Sequence, residues 1–429
     1  MKQGAFLKVN RFLSDNQRIL VILFLILAVL IRLVYSFTLT DPFFSDYGKF
    51  VKVAKYFMGE APELRSYCRV MPGYPLFLAG IFSVFGESFL AVRIFQALIG
   101  GGISFLIYAI ANKVMNKRVA FVAVIISVFY PTLVFWSGAL ISEYLFTFSI
   151  LCLILFLLKF IDNFTYKMAM GTGMLLGITL LIRPMLVFWP IFIVLWVFLC
   201  RKYDFKEILN KCFVMCIFTI ITLSPWIIRN YMVLGHFVPF TTDGGYALYV
   251  SNHPTGDGTS NLLNDEVIKF EDRVDEMDLD PVESNNYYFN EFLNNIKNAP
   301  FLYLKLIPKK FIRLWSIYPH TSIKHAIISI LSYGILLPFA IYGIWYSNFH
   351  LRNTYGILMT LLFVYVTLFF CFLFYGLTRF RFPVEPYIII FSAISFERFI
   401  FHENVFTKFI NLRLKLLIDS WNTLKKRNI

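Results

Sequence analysis

Seven ionisable side chains recur where long apolar runs meet polar segments: Asp46, Arg69, Glu143, Arg183, Arg229, Arg379 and Arg381. Two carboxylates and five guanidiniums at one kind of boundary could carry proton transfer beside an anionic leaving group. A positioned carboxylate makes a hydroxyl nucleophilic by starting to take its proton, a contribution of about 10²- to 10⁴-fold. Arginine offers a planar fork of donors that matches phosphate oxygens.

Each group also has a structural reading. Asp46 follows Ser45, a potential N-cap, and a carboxylate there favours the positive end of a helix dipole by a few tenths to about 1 kcal/mol. A single interfacial arginine commonly snorkels to lipid headgroups. Glu143 adjoins the apolar run Leu145–Leu158. An acid there costs several kcal/mol at a bilayer centre and less at its edge, so its default reading is functional.

The composition defines what must position these groups. Of 429 residues, 58% are hydrophobic and 15% charged, against roughly one quarter charged in soluble domains. Mean hydropathy is +0.68. The expected fold class is an all-α polytopic membrane protein. The net charge of +14 is scattered in short clusters between apolar runs, as on cytoplasmic loops, which argues against a nucleic-acid partner. Cys152, Cys200, Cys212, Cys216 and Cys371 lie in or beside apolar runs and Cys68 in a polar loop, so no disulfide or zinc framework is expected. The 50 Phe, 24 Tyr and 7 Trp suit bundle packing and interface anchoring, and equally a groove for a lipid tail.

In chain order, residues 1–18 carry Lys2, Lys8, Arg11 and Arg18 and are expected in the cytoplasm. Residues 19–39 then supply the roughly 20 residues of a bilayer span, and are too long, with no small-residue cleavage site, for a signal peptide. The region 19–230 is read as an N-terminal transmembrane catalytic region that includes an outer loop, 40–87. In that loop 46–57 predicts a surface helix with Asp46, Phe50, Val53, Ala54 and Phe57 on its apolar side, and 76–85 a second interfacial helix. Spans are expected near 88–112, 119–136, 141–158, 168–182, 185–200 and 212–230, with basic turns on the cytoplasmic side. Residues 231–324 form a long extracytoplasmic loop or small domain, too long for a mere connector. Spans near 325–346, 354–376 and 384–400 and a basic cytoplasmic tail, 401–429, complete a count of about ten transmembrane helices, range 9–13.

Several stretches share a family pattern. Asp46-Tyr47 and Pro72-Gly73-Tyr74-Pro75-Leu76-Phe77-Leu78-Ala79, ending at Phe85-Gly86, resemble the first outer loop of GT-C membrane glycosyltransferases. The likeness is to the protein O-mannosyltransferase and aminoarabinose transferase group. Ile182-Arg183-Pro184, the run Pro225-Trp226-Ile227-Ile228-Arg229-Asn230-Tyr231 with Gly235 and Gly244-Gly245, and Arg379-Phe380-Arg381-Phe382-Pro383-Val384-Glu385-Pro386 agree with it. The resemblance covers about residues 19–400.

It implies a polyprenyl-phosphate sugar donor, a hydroxyl acceptor on lipid, glycan or protein, and inverting transfer on the extracytoplasmic face of the cell (inner) membrane, among membrane lipids. By that resemblance Asp46 is the general base and Arg69 contacts the lipid phosphate, with Arg379 and Arg381 as further phosphate ligands. Glu143 matches the second outer-loop acid, which orients the acceptor or holds a divalent cation; Tyr74, Arg183 and Arg229 are other site candidates. Metal use differs across the superfamily, so a divalent cation stays open. The Tyr47 found where many relatives carry a second acid counts against a metal at Asp46. A helix N-terminus would also lower the pKa of Asp46, whereas a base working near neutrality benefits from a raised one.

The competing reading is a transporter or lipid flippase, which predicts charged or broken segments at mid-membrane in matched halves. A lipid-linked polysaccharide ligase or polymerase shares the location but calls for other loop motifs. Lys, Asn, Ile and Phe usage is compatible with an AT-rich bacterium, and the sugar and acceptor stay unspecified.

Overall fold

Polar residues at the starts of several helices satisfy the first free amides. Asn116 Oδ1 accepts from the amides of Arg118 and Val119 at 2.9 and 3.0 Å, and Ser88 Oγ from Ala91 at 3.2 Å. The structure, a computed structural model, describes residues 2–40, 47–62, 65–318 and 323–401. Asp46 and Ser45 lie outside the described residues, as does nearly all of the 401–429 tail.

The helices are α1 (Lys2–Phe37), α2 (Tyr47–Phe57), α3 (Gly73–Phe85), α4 (Phe89–Val114), α5 (Lys117–Phe129), α6 (Pro131–Ser137), α7 (Ser142–Asp162), α8 (Tyr166–Ile182), α9 (Trp189–Leu199) and α10 (Phe205–Leu234). They continue with α11 (Gly244–Ser251), α12 (Asp265–Glu276), α13 (Pro281–Asn298) and α14 (Pro300–Leu314). Three more helical runs follow: α15 (Ile323–His350), α16 (Thr354–Leu373) and α17 (Glu385–Phe401).

The all-helical membrane class is borne out. Among the described residues six helices are long and apolar enough to cross a bilayer, and the bent pair α5–α6 would make a seventh. The expected unbroken span over 119–136 is bent by 52° at Pro131. Proline removes a backbone donor and pushes the preceding residue out of the helical region, and Tyr130 is extended at φ −70°, ψ 109°. The span expected over 185–200 is also shorter. A 3₁₀ turn at Pro184–Leu186 precedes α9, whose 11 residues reach about 16 Å of a hydrocarbon core of about 30 Å.

Small residues set the closest helix crossings. A Cβ on Gly173 of α8 would lie 2.2 Å from the Met215 carbonyl oxygen of α10. On α15 a Cβ on Gly343 would lie 1.9 Å from the Phe391 carbonyl oxygen of α17. These contacts bring α8 to α10 and α15 to α17, beside the core formed with α4, α5 and α7.

The 231–318 stretch is largely helical and has its own apolar cluster of Tyr249, Val250, Val267, Phe270, Val274, Tyr288 and Phe292. The acidic block becomes α12 and the start of α13, where Asp280 and Glu283 form a reciprocal capping box.

Lys310 of α14 helps join this stretch to the spans. Its fully buried Nζ donates to Asn252 Oδ1 at 2.5 Å, while Asn252 Nδ2 donates to the Leu373 carbonyl at 2.8 Å at the end of α16. Burial pulls the Lys310 amine from 10.5 down to about 7. Between those values the folded protein holds fewer protons than the unfolded chain, so stability rises with pH. The apparent melting temperature is therefore expected to climb from pH 7 towards 10, and Lys310→Met to flatten that slope.

Candidate functional site

A carboxylate and two guanidiniums from distant segments meet at one end of the bundle. Glu143 is in the first turn of α7, Arg183 ends α8, and Arg379 lies in a short helical turn, Thr378–Arg381. Arg183 leaves the helical conformation, at φ −152° and ψ 131°, because Pro184 follows it. That extended residue lets its side chain reach back to α7. Glu143 is 1% exposed, and its Oε1 accepts from Arg183 Nη1 at 2.6 Å and from Arg379 Nε. Arg183 also lies 5.6 Å from the Phe380 ring centre. A buried carboxylate needs such pairing, since desolvating a lone charge costs several kcal/mol.

Arg379 also borders a cavity of about 220 Å³, with Thr132, Trp136, His325, Thr378 and Glu385 among its walls. Arg381 borders it too but is engaged throughout. Its Nε donates to Glu385 Oε1 at 2.9 Å, Nη1 to the Ser316 carbonyl at 2.8 Å and Nη2 to Ser329 Oγ at 3.3 Å, and it stacks 3.6 Å from the Tyr333 ring centre. Tyr130 donates to Glu385 Oε2 at 2.9 Å. With each nitrogen used by the protein, the geometry fits Arg381 as a positioning group better than as the phosphate ligand expected from the sequence.

Arg69 is brought elsewhere. With Lys49 and Lys52 of α2 it lines a cleft of about 390 Å³, faced by Thr242, Asp243, Glu271, Asp275, Asn285 and Tyr288. Burial raises the Asp243 carboxyl above its ordinary value, against the pull of Arg69 and Lys49. Arg229 sits next to this region. It donates to Cys68 Sγ at 2.8 Å and lies 5.4 and 5.0 Å from the Tyr56 and Trp226 ring centres, so the arginine pins the first loop to α10. Tyr74 is fully buried and donates to Gln96 Oε1 at 3.0 Å, with Phe50 5.0 Å away ring to ring. It locks α3 and α2 onto α4.

The sequence reading missed two buried arginines. Arg32 of α1 donates to Tyr144 Oη at 3.1 Å and to the carbonyls of Ala28 and Ser127 at 2.8 and 3.2 Å. Arg93 of α4 donates to the carbonyls of Gly138 and Leu39 at 3.2 and 2.9 Å. A charge inside an apolar run was the available signal for both. Among the described residues no three His, Cys, Asp or Glu side chains cluster as a metal site. Glu143, already held by two guanidiniums, is a poor cation ligand.

Comparison with known proteins supplies the frame. A family model described as dolichyl-phosphate-mannose-protein mannosyltransferase matches residues 69–228. The oligosaccharyltransferase AglB from Archaeoglobus fulgidus, solved with an inhibitory peptide and a dolichol-phosphate, superposes at TM-score 0.54 with 13% identity. That match covers 94% of this chain and 54% of AglB. ArnT from Cupriavidus metallidurans bound to undecaprenyl phosphate superposes at TM-score 0.56 with 12% identity, over 88% of this chain and 60% of ArnT.

The chain shares the fold of AglB and ArnT over most of its length.

It spans little more than half the length of those two structures. No curated protein matches it. The family match takes in Arg69, Tyr74, Glu143 and Arg183, while Arg379 and Arg381 lie beyond it.

Glu143 is expected to hold the three segments together. Glu143→Gln leaves two arginines without their counter-charge, and about 3 kcal/mol of stability should go with it. Thermal melts in detergent should show a lowered midpoint, and adding Arg379→Gln should restore part of it. An unchanged midpoint for the single variant would remove the cluster's structural role.

Proposed function

We propose that the protein is an integral-membrane glycosyltransferase that moves a sugar from a polyprenyl-phosphate donor to an acceptor hydroxyl, with inversion, on the extracytoplasmic face of a bacterial inner membrane. The observation that carries this reading is the meeting of Glu143, Arg183 and Arg379 beside a cavity, at one end of a bundle that shares the fold of AglB and ArnT.

Asp46 takes the acceptor proton as the hydroxyl oxygen attacks the anomeric carbon. The bond from that carbon to the lipid phosphate breaks, and the phosphate leaves with the electron pair. Arg379, beside the cavity at the Glu143 cluster, is the guanidinium offered to the leaving phosphate, whose developing charge it stabilises, and Arg69, which faces the other cleft, contributes to donor binding from there. Glu143 fixes Arg379 and Arg183 in place, which removes the cost of ordering two long side chains during the reaction. Arg381 holds the 378–385 turn that presents Arg379.

Support for a catalyst over a carrier comes from Arg32. It is the charge that a transport reading would seize on inside α1, but its donors are closed off by Tyr144 and two carbonyls. Such an arginine braces helices and offers no relay.

The test uses the full chain in nanodiscs with radiolabelled undecaprenyl-phosphate sugars and a panel of hydroxyl acceptors. Asp46→Asn should lower kcat by about 10²-fold or more, the loss expected for a general base. Arg379→Gln and Arg69→Gln should weaken use of the donor, raising its KM. Wild-type turnover by Asp46→Asn would end the general-base assignment. Movement of intact lipid-linked sugar across the bilayer, with the sugar–phosphate bond unbroken, would end the transferase reading.

A further inference from the structure

Helix α14 carries three stripes that call for different surroundings. Leu306, Lys310 and Leu314, spaced four apart, are buried against the protein. Phe301, Leu304, Pro308, Phe311 and Ile312 form a second stripe that faces outward, with Phe301 78% and Ile312 67% exposed. Lys305 and Lys309 edge that stripe, each three positions before one of its members, Pro308 and Ile312. Side chains at this spacing are neighbours on a helix surface. Both lysines are exposed, and no acid among the described residues pairs with either, whereas Arg313 is taken by Asp257 at 2.6 Å.

Contacts with α16 fix the depth of this helix. Tyr303 Oη donates to the Phe372 carbonyl at 2.6 Å, and Trp315 Nε1 to Thr367 Oγ1 at 3.0 Å. With 20 residues α16 reaches about the 30 Å of a hydrocarbon core, so its Leu373 end marks one edge of that core. Thr367 precedes Leu373 by six residues, about 9 Å along the helix. From Tyr303 to Trp315 the chain therefore descends obliquely from the edge to the depth of about 5–10 Å at which amphipathic in-plane helices bury their apolar face.

The groove between the two helices has a single chemistry. Ile307, Phe311 and Ile312 of α14 face Leu368, Cys371 and Phe372 of α16 around about 400 Å³, within the size range of ligand pockets. The Thr367 hydroxyl in its wall is already engaged, donating to the Phe363 carbonyl at 2.7 Å and accepting from Trp315. The groove thus offers an occupant no oxygen or nitrogen to bond, which suits hydrocarbon and not water. Val364, Leu368 and Phe372, four apart along α16, are exposed and carry its surface onto the outward side of the span.

We propose that this groove holds an acyl chain of an anionic phospholipid whose headgroup is paired by Lys305 and Lys309. Charge complementarity selects the lipid, because basic side chains at the membrane surface attract anionic headgroups. The two lysines stand one turn from the groove's rim at Pro308 and Ile312, within reach of a headgroup whose chain enters there. The Leu314 carbonyl of α14 accepts from Arg381 Nη1 at 3.3 Å, so the lipid seat adjoins the turn that carries Arg379. The inference stands whichever reaction the protein catalyses.

The test places the full chain in phosphatidylcholine nanodiscs with a trace of phosphatidylglycerol, or of phosphatidylcholine, whose acyl chain carries a diazirine, followed by illumination and peptide mapping. The phosphatidylglycerol probe should label peptides 300–314 and 367–373 about tenfold or more above the phosphatidylcholine probe, since each lysine near the surface favours an anionic headgroup by about fivefold. Both probes should label the exposed Ile22, Ile26 and Leu30 of α1 equally. Lys305→Gln combined with Lys309→Gln should level the two probes in the groove, while Lys305→Arg with Lys309→Arg should keep the preference. Equal labelling of the groove by both probes in the wild type, an undiminished preference in the Gln pair, or a groove that neither probe labels overturns the proposal. Undecaprenyl phosphate added at equal concentration should leave the labelling in place. Its displacement of the phospholipid probe would give the groove to a polyprenyl tail and overturn the assignment.

Discussion

A carboxylate buried among apolar helices has to be paired, and in this fold Glu143 is paired twice. The requirement has structural reach because its partners come from far along the chain. Arg183 is delivered by the end of α8 and Arg379 by the turn that precedes α17, so one ion cluster ties the middle of the bundle to its last helix. The neighbouring Arg381–Glu385 pair, with Tyr130 from the α5–α6 break, extends that tie to α15 through Ser329. Breaking such a pair costs more than its formation gains, since each group was desolvated for the other's sake.

Proline punctuation is what allows the cluster to form. Pro184 ends α8 with an extended Arg183, and Pro131 bends the α5–α6 segment so that Tyr130 meets Glu385. Both breaks leave backbone groups that a bilayer could not satisfy, and such irregular backbone is tolerated at membrane depth where it is buried in protein or borders a cavity. The Glu143 end of the molecule has that character.

A second polar region is assembled by the stretch after α10. Its own apolar cluster makes α11–α13 a compact unit; α13 touches the Arg65–Arg69 turn of the first loop, and the Thr242 amide just before α11 donates to the Cys68 carbonyl. Two cavities with different electrostatics result, one beside paired arginines and one with separated walls of opposite charge.

The apolar runs, their polar breaks and the Lys and Arg clusters between them were enough to specify a helical membrane protein and to locate most of the apolar helices, because hydrophobic length is a local property, but not the four helices α11–α14 of the 231–318 stretch. The GT-C likeness was legible in short motifs for the same reason. Local pattern also marked Glu143, Arg183 and Arg379 individually as expensive charges at apolar boundaries. It could not say that these three share one contact while Arg69 faces another cleft, or which partners Arg381 and Tyr74 donate to. Those outcomes depend on which helices cross closely, set by small residues such as Gly173 and Gly343, and on which buried polar atom finds its partner first in space. Pairing across some forty to more than two hundred residues is a property of the packed bundle, and only the tertiary structure decides it.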